Sequence, residues 1–211
     1  MSTKAAQDVQ ARKFLAPYSP LRPHFEVLAN RLLSLREDAR SVVVTGPEPG
    51  TGCSSVCLGI GAALAGLGRT AAVVDCNLER PQLHRLLGEP NFVGLTSSLE
   101  GDKPLEDSGL TPVPELLVVP TGPVPLNPAA YLRSERFVKV VRELQKSRET
   151  VLLDSPVASR LLEFPTLSGG FDGVLLVVHA ARSSKSAARA ATDDLLESGV
   201  NLLGVVLNGC P

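Results

Sequence analysis

The chain has 211 residues, 44% of them hydrophobic, enough apolar surface to bury a sheet with helices on both faces. Its formal net charge of -1 gives no basic field for a nucleic acid, so none is expected as a partner. The longest apolar stretches, such as Val174–Val178 and Val56–Leu67, are too short or too glycine-rich to span a bilayer, and Met1–Arg12 lacks a signal-peptide core. The expectation is a cytoplasmic protein with no direct membrane insertion.

Taken in order, residues 1–20 read as a flexible leader, polar at first and then broken by Pro17 and Pro20. An amphipathic helix is predicted over about Pro23–Arg36, where Phe25, Leu28, Leu32 and Leu35 recur at helical spacing, a stripe expected to pack on the chain's own sheet. The run Ser41–Thr45 predicts a strand, followed by a Gly/Pro loop, Gly46–Gly52, and a small-residue helix, Ser54–Leu67. Further strands are predicted at Thr70–Asp75, Leu116–Pro120, Val151–Asp154, Gly173–His179 and Leu202–Leu207, with helices at Pro81–Leu87, Ser134–Ser147 and Ser184–Ser198. Unbroken aliphatic runs separated by helices predict strands buried on both faces, hence an α/β fold with a doubly wound, mostly parallel sheet. Residues 21–211 are expected to form one domain. In such sheets the ligand crevice lies beyond the carboxyl ends of the strands, where Gly46, Asp75, Asp154 and the His179–Arg182 segment fall.

The segment Gly46-Pro47-Glu48-Pro49-Gly50-Thr51-Gly52-Cys53-Ser54-Ser55 has the layout of a P-loop. Glycines let backbone N–H groups turn toward a phosphate, and the following helix directs its positive end there. A working loop ends Gly-Lys-Ser/Thr, the lysine reaching the β and γ phosphates and the hydroxyl binding magnesium. Here Cys53 holds the lysine position and Ser54 the hydroxyl position. An ordinary strand-to-helix turn is the alternative for such a loop, and strand-end or cap carboxylates are the alternative for Asp75 and Asp154. Loss of a charged hydrogen bond at a triphosphate is worth on the order of 3 kcal/mol, roughly a hundredfold in affinity or rate. The helix N-terminus is expected to acidify the Cys53 thiol, and a thiolate would repel phosphate. The four cysteines, Cys53, Cys57, Cys76 and Cys210, lack the tight pairs of a zinc site and are expected to be reduced, with a reactive redox thiol at Cys53 as the alternative.

Several segments together resemble the cytoplasmic kinase domain of bacterial tyrosine kinases for capsule and exopolysaccharide synthesis, relatives of the MinD/ParA ATPases. The resemblance spans roughly Tyr18 to Asn208. "GPEPGTGCSS" is similar to the family loop, "AAVVDCNLERPQLHRLLGEPNFVGL" to its second acidic motif, and "LLVVPTGPVPLNPAAYLRSERF" to its Asn-Pro segment. "VLLDSP", "GVLLVVHAARS" and "LLGVVLN" match the Walker B strand and the last two strands. The resemblance implies a P-loop NTPase-like fold and ATP or ADP with magnesium as cofactors. It also implies a phosphate cradle of Gly50, Gly52, Cys53, Ser54 and Ser55, with Asn208 near the base. Ser54 and Asp154 would lie at the magnesium, and Asp75 would act in metal binding or hydroxyl activation.

The departures from the family point one way. Cys53 replaces the lysine, Asn77 the second acid of the Asp-x-Asp pair, and Glu79 the first arginine of the Arg-Arg-Pro run. The family's oligomerisation motif would fall on Pro23, Glu26 and Ala29, and none matches; the only tyrosines are Tyr18 and Tyr131, so its tyrosine cluster is missing. Nucleotide binding is therefore expected to be weak or lost, with Asp75 and Asp154 vestigial. The expected function is that of a pseudokinase, a non-catalytic partner or regulator in polysaccharide assembly. Its partner would be a membrane polysaccharide co-polymerase or a true tyrosine kinase, and a monomer or dimer is expected in place of a homo-octamer. The alternatives are an active or weakly active tyrosine kinase or ATPase, using Arg182 as a substitute cation, and a MinD/ParA-like positioning ATPase.

Overall fold

A computed structural model describes residues 15–16, 19–35, 40–101, 104–161 and 171–210. Tyr18 and most of the expected leader lie outside the described residues. Helix α1 (Arg22–Leu35) leads into β1 (Ser41–Thr45), α2 (Cys53–Gly66), β2 (Ala71–Asp75), α3 (Leu83–Leu87) and α4 (Leu95–Glu100). A hairpin of β3 (Leu110–Val113) and β4 (Leu116–Val119) follows, then α5 (Pro128–Leu132), α6 (Glu135–Ser147), β5 (Thr150–Asp154) and α7 (Ala158–Leu161). The chain closes with β6 (Gly173–His179), α8 (Lys185–Glu197) and β7 (Leu202–Asn208).

The strands form one sheet in the order β3-β4-β2-β5-β1-β6-β7, parallel throughout except for the β3–β4 pair. The inner strands are covered on both faces, which explains why they read as unbroken aliphatic runs; β7, expected to be equally buried, lies at the edge and leaves Val205 and Leu207 exposed. Val43 joins a core with α6 and α8 on one face, while Val42 and Val44 join a core with α1 and α2 on the other. Phe137, fully buried, anchors α6 to the first core; Ala29 and Leu32 anchor α1 to the second. Ser134 starts α6 by accepting from the Phe137 N–H, and Ser184 starts α8 by accepting from Ala187.

Two further expectations change. The α1 stripe packs on α2 as well as sharing a core with the sheet residues Leu175 and Val206: the Phe25 ring lies over Gly59, where a Cβ would stand 2.4 Å from ring carbons. Leu35, expected in the stripe, remains 55% exposed. The edge strand β3 was absent from the sequence reading. Its four residues carry Pro112, and they are half-buried or exposed, so neither an aliphatic run nor a clean alternation marks it.

The candidate phosphate-loop site

β1 delivers the chain at Thr45 to the loop 46–52, and α2 starts at Cys53, one residue before the expected start. Gly50 (φ 82) and Gly52 (φ 95) take left-handed conformations that a side chain disfavours. At Gly52 space also forbids one: a Cβ would meet the Asn208 amide at 2.2 Å. That amide donates to the Thr51 carbonyl at 2.9 Å, so the end of β7 braces the loop. On the other side, Ala158 N–H donates to the Gly46 carbonyl, Ser155 Oγ to the Val44 carbonyl and Thr45 Oγ1 to the Pro156 carbonyl. The loops after β1 and β5 are thus stitched together beside a cavity of about 550 Å³. Gly50, Gly52, Cys53, Ser54, Ser55 and Asp154 all line it; Asp75 and Asn208 do not.

The two acids stand side by side on β2 and β5, with Asp75 and Asp154 in register, as their strand-end positions imply. Their environments differ. Asp75 is fully buried, and its oxygens accept from the N–H groups of Asn77, Gln82 and Leu83, at 3.2, 2.9 and 3.0 Å. It therefore holds the segment that turns from β2 into α3. Burial pushes its pKa up to about 6, and these three donors hold it from rising further. Asp154 is 1% exposed, and neither of its carboxylate oxygens has a hydrogen-bond partner. Burial first, and then the neighbouring Asp75 charge, push its pKa well above the carboxylate range. The Ser54 hydroxyl opposes that rise without completing a hydrogen bond.

Cys53 contradicts the expectation of an acidified thiol. Burial, followed by the Asp154 charge, pushes its pKa up to about 12, and Thr51 Oγ1 lies 3.3 Å from Sγ. The helix end is outweighed because the half-buried thiol is shielded from water and faces an acid. Cys53 is therefore an uncharged group at the start of α2. Cys57 and Cys76 are fully buried, Cys210 is exposed, and all four are free thiols.

Arg182, the substitute cation considered from sequence, lies in the exposed turn after β6 and does not line the cavity. Arg80 and Arg160 do line it, and Arg160 pairs with Glu79 across the space between the β2 and β5 loops. Arg80 sits within the Glu-Arg-Pro run and had a sequence signal; Arg160, in the four-residue α7, had none.

Among the described residues no group of three or more His, Cys, Asp or Glu is placed to hold a metal ion. The orphaned Asp154 oxygens and the Ser54 hydroxyl nevertheless fit magnesium, which takes one or two protein ligands and fills the rest with phosphate and water. No described helix is long and apolar enough to cross a membrane.

No protein-family model matches the chain. Among curated proteins it is similar to the putative tyrosine-protein kinase EpsB of Ralstonia solanacearum, 30% identical over 200 residues that cover 92% of this chain. The chain spans 27% of that relative's length. Among solved structures it resembles the chimerical protein CapA2B2, with a TM-score of 0.86 and 27% identity, covering 96% of this chain and 91% of that one. The MinD protein of Pyrococcus horikoshii, solved with Mg-ADP, has the same fold at a TM-score of 0.65 and 24% identity, covering 80% of this chain and 69% of that one.

Proposed function

Starting from a chain whose homologues are bacterial tyrosine-protein kinases, we propose that this one is a pseudokinase: a degenerate P-loop protein serving exopolysaccharide or capsule synthesis and export as a non-catalytic partner or regulator. The observation that carries the reading is Cys53, an uncharged thiol at the lysine position beside a buried acid with no partner. Phosphoryl transfer asks the protein for positioning and charge stabilisation, and the loop keeps the first while lacking its main source of the second. Asn77 in place of an acid weakens the metal side of the site in the same direction.

Within this reading Gly50, Gly52, Ser54 and Ser55 would cradle whatever phosphate enters, and Ser54 and Asp154 would hold magnesium. Bound there, the metal would neutralise phosphate charge. Asp75, whose oxygens already serve three backbone donors, would act through the field it exerts on Asp154. The partner proposed is a membrane polysaccharide co-polymerase or an active tyrosine kinase. Support for a protein partner comes from the likeness to CapA2B2, a chimera.

A second reading, a weak ATP-binding kinase or ATPase, is favoured by one feature: Asp154 is retained, unpaired, at the mouth of an intact glycine loop. Isothermal titration with Mg-ADP and Mg-ATP separates the two. The pseudokinase reading expects no heat, or weak binding, from the wild type, and a gain of roughly a hundredfold in Cys53→Lys. Wild-type binding at micromolar affinity or tighter overturns it.

A further inference from the structure

The two edges of the sheet are unlike. β3 is four residues long and carries Pro112, features that discourage another strand from pairing with it. β7 is seven residues long, contains neither a charge nor a proline, and pairs only with β6 among the described residues. A strand of that kind is a template for a further strand.

We propose that β7 pairs antiparallel with β7 of a second copy of this chain, centred on Val206, so that the two sheets join across a two-fold axis. Backbone direction supports this register. The Asn208 carbonyl accepts from Ala180 N–H on the β6 side. Alternation then turns the peptide groups of Gly204 and Val206 toward β6 as well, and those of Val205 and Leu207 outward. Centring on Val206 sets Val205 opposite the copy's Leu207 and Leu207 opposite the copy's Val205. These are the residues whose N–H and C=O face out, so each pair exchanges both of its hydrogen bonds.

The side chains match this arrangement. Val205 and Leu207 are 55% and 59% exposed, and both fall on the sheet face that carries Leu176 and Val178, their register partners on β6. The two-fold axis lays each against the other, covering two exposed aliphatic side chains per chain with their own kind. With no charge between Leu202 and Asn208, nothing repels across the axis. A self-complementary strip of this kind selects a second copy over an unrelated strand. The proposal stands apart from the reading of the phosphate loop.

Light scattering on the full chain across the micromolar range tests it. Wild type is expected to approach twice its mass of 22.2 kDa as concentration rises. Val205→Lys/Leu207→Lys sets lysine against lysine and is expected to weaken association by about a hundredfold or more. Val205→Lys/Leu207→Glu sets opposite charges face to face and is expected to recover much of it. Hydrogen exchange on the wild type gives a readout free of variants: protection of the Val205 and Leu207 amides rises with concentration, while that of Val206 does not. A monomer at every concentration, or amides of Val205 and Leu207 that stay unprotected, overturns the proposal. So does a Lys/Lys variant as dimeric as wild type, or a Lys/Glu variant no better than Lys/Lys.

Discussion

Replacing Asp154 by Asn removes the most exposed liability of the site to pH while keeping the side chain's shape. Asp154 is 1% exposed, its oxygens have no partner, and burial and Asp75 both resist its ionisation. Such an acid keeps its proton in the fold while the unfolded chain releases it near its ordinary pKa of 3.8. The folded state therefore binds more protons, and stability falls as pH rises above about 4, at about 1.4 kcal/mol per pH unit for one group. The fall continues until the folded pKa is passed. Over that range Asp154 alone removes stability steadily as pH rises. Asp75 adds a loss of the same sign, ending near its folded pKa of about 6. In Asp154→Asn the first contribution vanishes and the second stays. The two proteins should have similar stability below about pH 4, where both side chains are uncharged, and the variant's lead should grow as pH rises from there. Urea denaturation without nucleotide, at matched ionic strength, measures the gap. A variant that is no more stable near neutrality, or a gap that narrows as pH rises, refutes the account of Asp154 as a buried, unpartnered acid.

Asp75→Ala should do the reverse, costing about 1–3 kcal/mol because the N–H groups of Asn77, Gln82 and Leu83 lose their acceptor, which a denaturation midpoint will read. Gly52→Ala should destabilise by about 1–3 kcal/mol through its left-handed backbone and the Asn208 contact. Adding Asn208→Ala should return part of that loss, since it removes the clash but not the strain. Glu79→Ala breaks a half-exposed ion pair with Arg160 and should change stability by less than about 1 kcal/mol. Mass spectrometry after incubation with Mg-ATP should find no phosphate on Tyr18 or Tyr131; phosphate that depends on Asp154 would sink the pseudokinase reading.

The inner parallel strands were legible because burial on both faces leaves only one kind of sequence to write. Val42, Val43 and Val44 face alternate cores and are all aliphatic. β3 was not legible, since an edge strand with Pro112 and half-exposed positions carries neither pattern. Within the site, the spacing of loop glycines and strand-end acids located the cavity, and the pairing of β2 with β5 set the acids in register. What spacing cannot carry is solvation. The acidity expected of Cys53 came from its place at a helix start, whereas its actual state is set by burial and by Asp154, which is distant in sequence. Likewise Asp75 and Asp154 look equivalent as strand-end acids. Only the return of the segment Asn77–Leu83 over Asp75 tells them apart.

That asymmetry bears on how sequence drift should be read in relatives of this chain. Asp75 is architectural, so it would be retained in a lineage long after any chemistry had gone, simply because losing it loosens the turn into α3. Asp154 is held by no such contact, and the apo fold would gain from its loss. Between two motifs that an alignment scores alike, only the second is a clock for function. A relative that has kept both acids has told its reader something at one position alone.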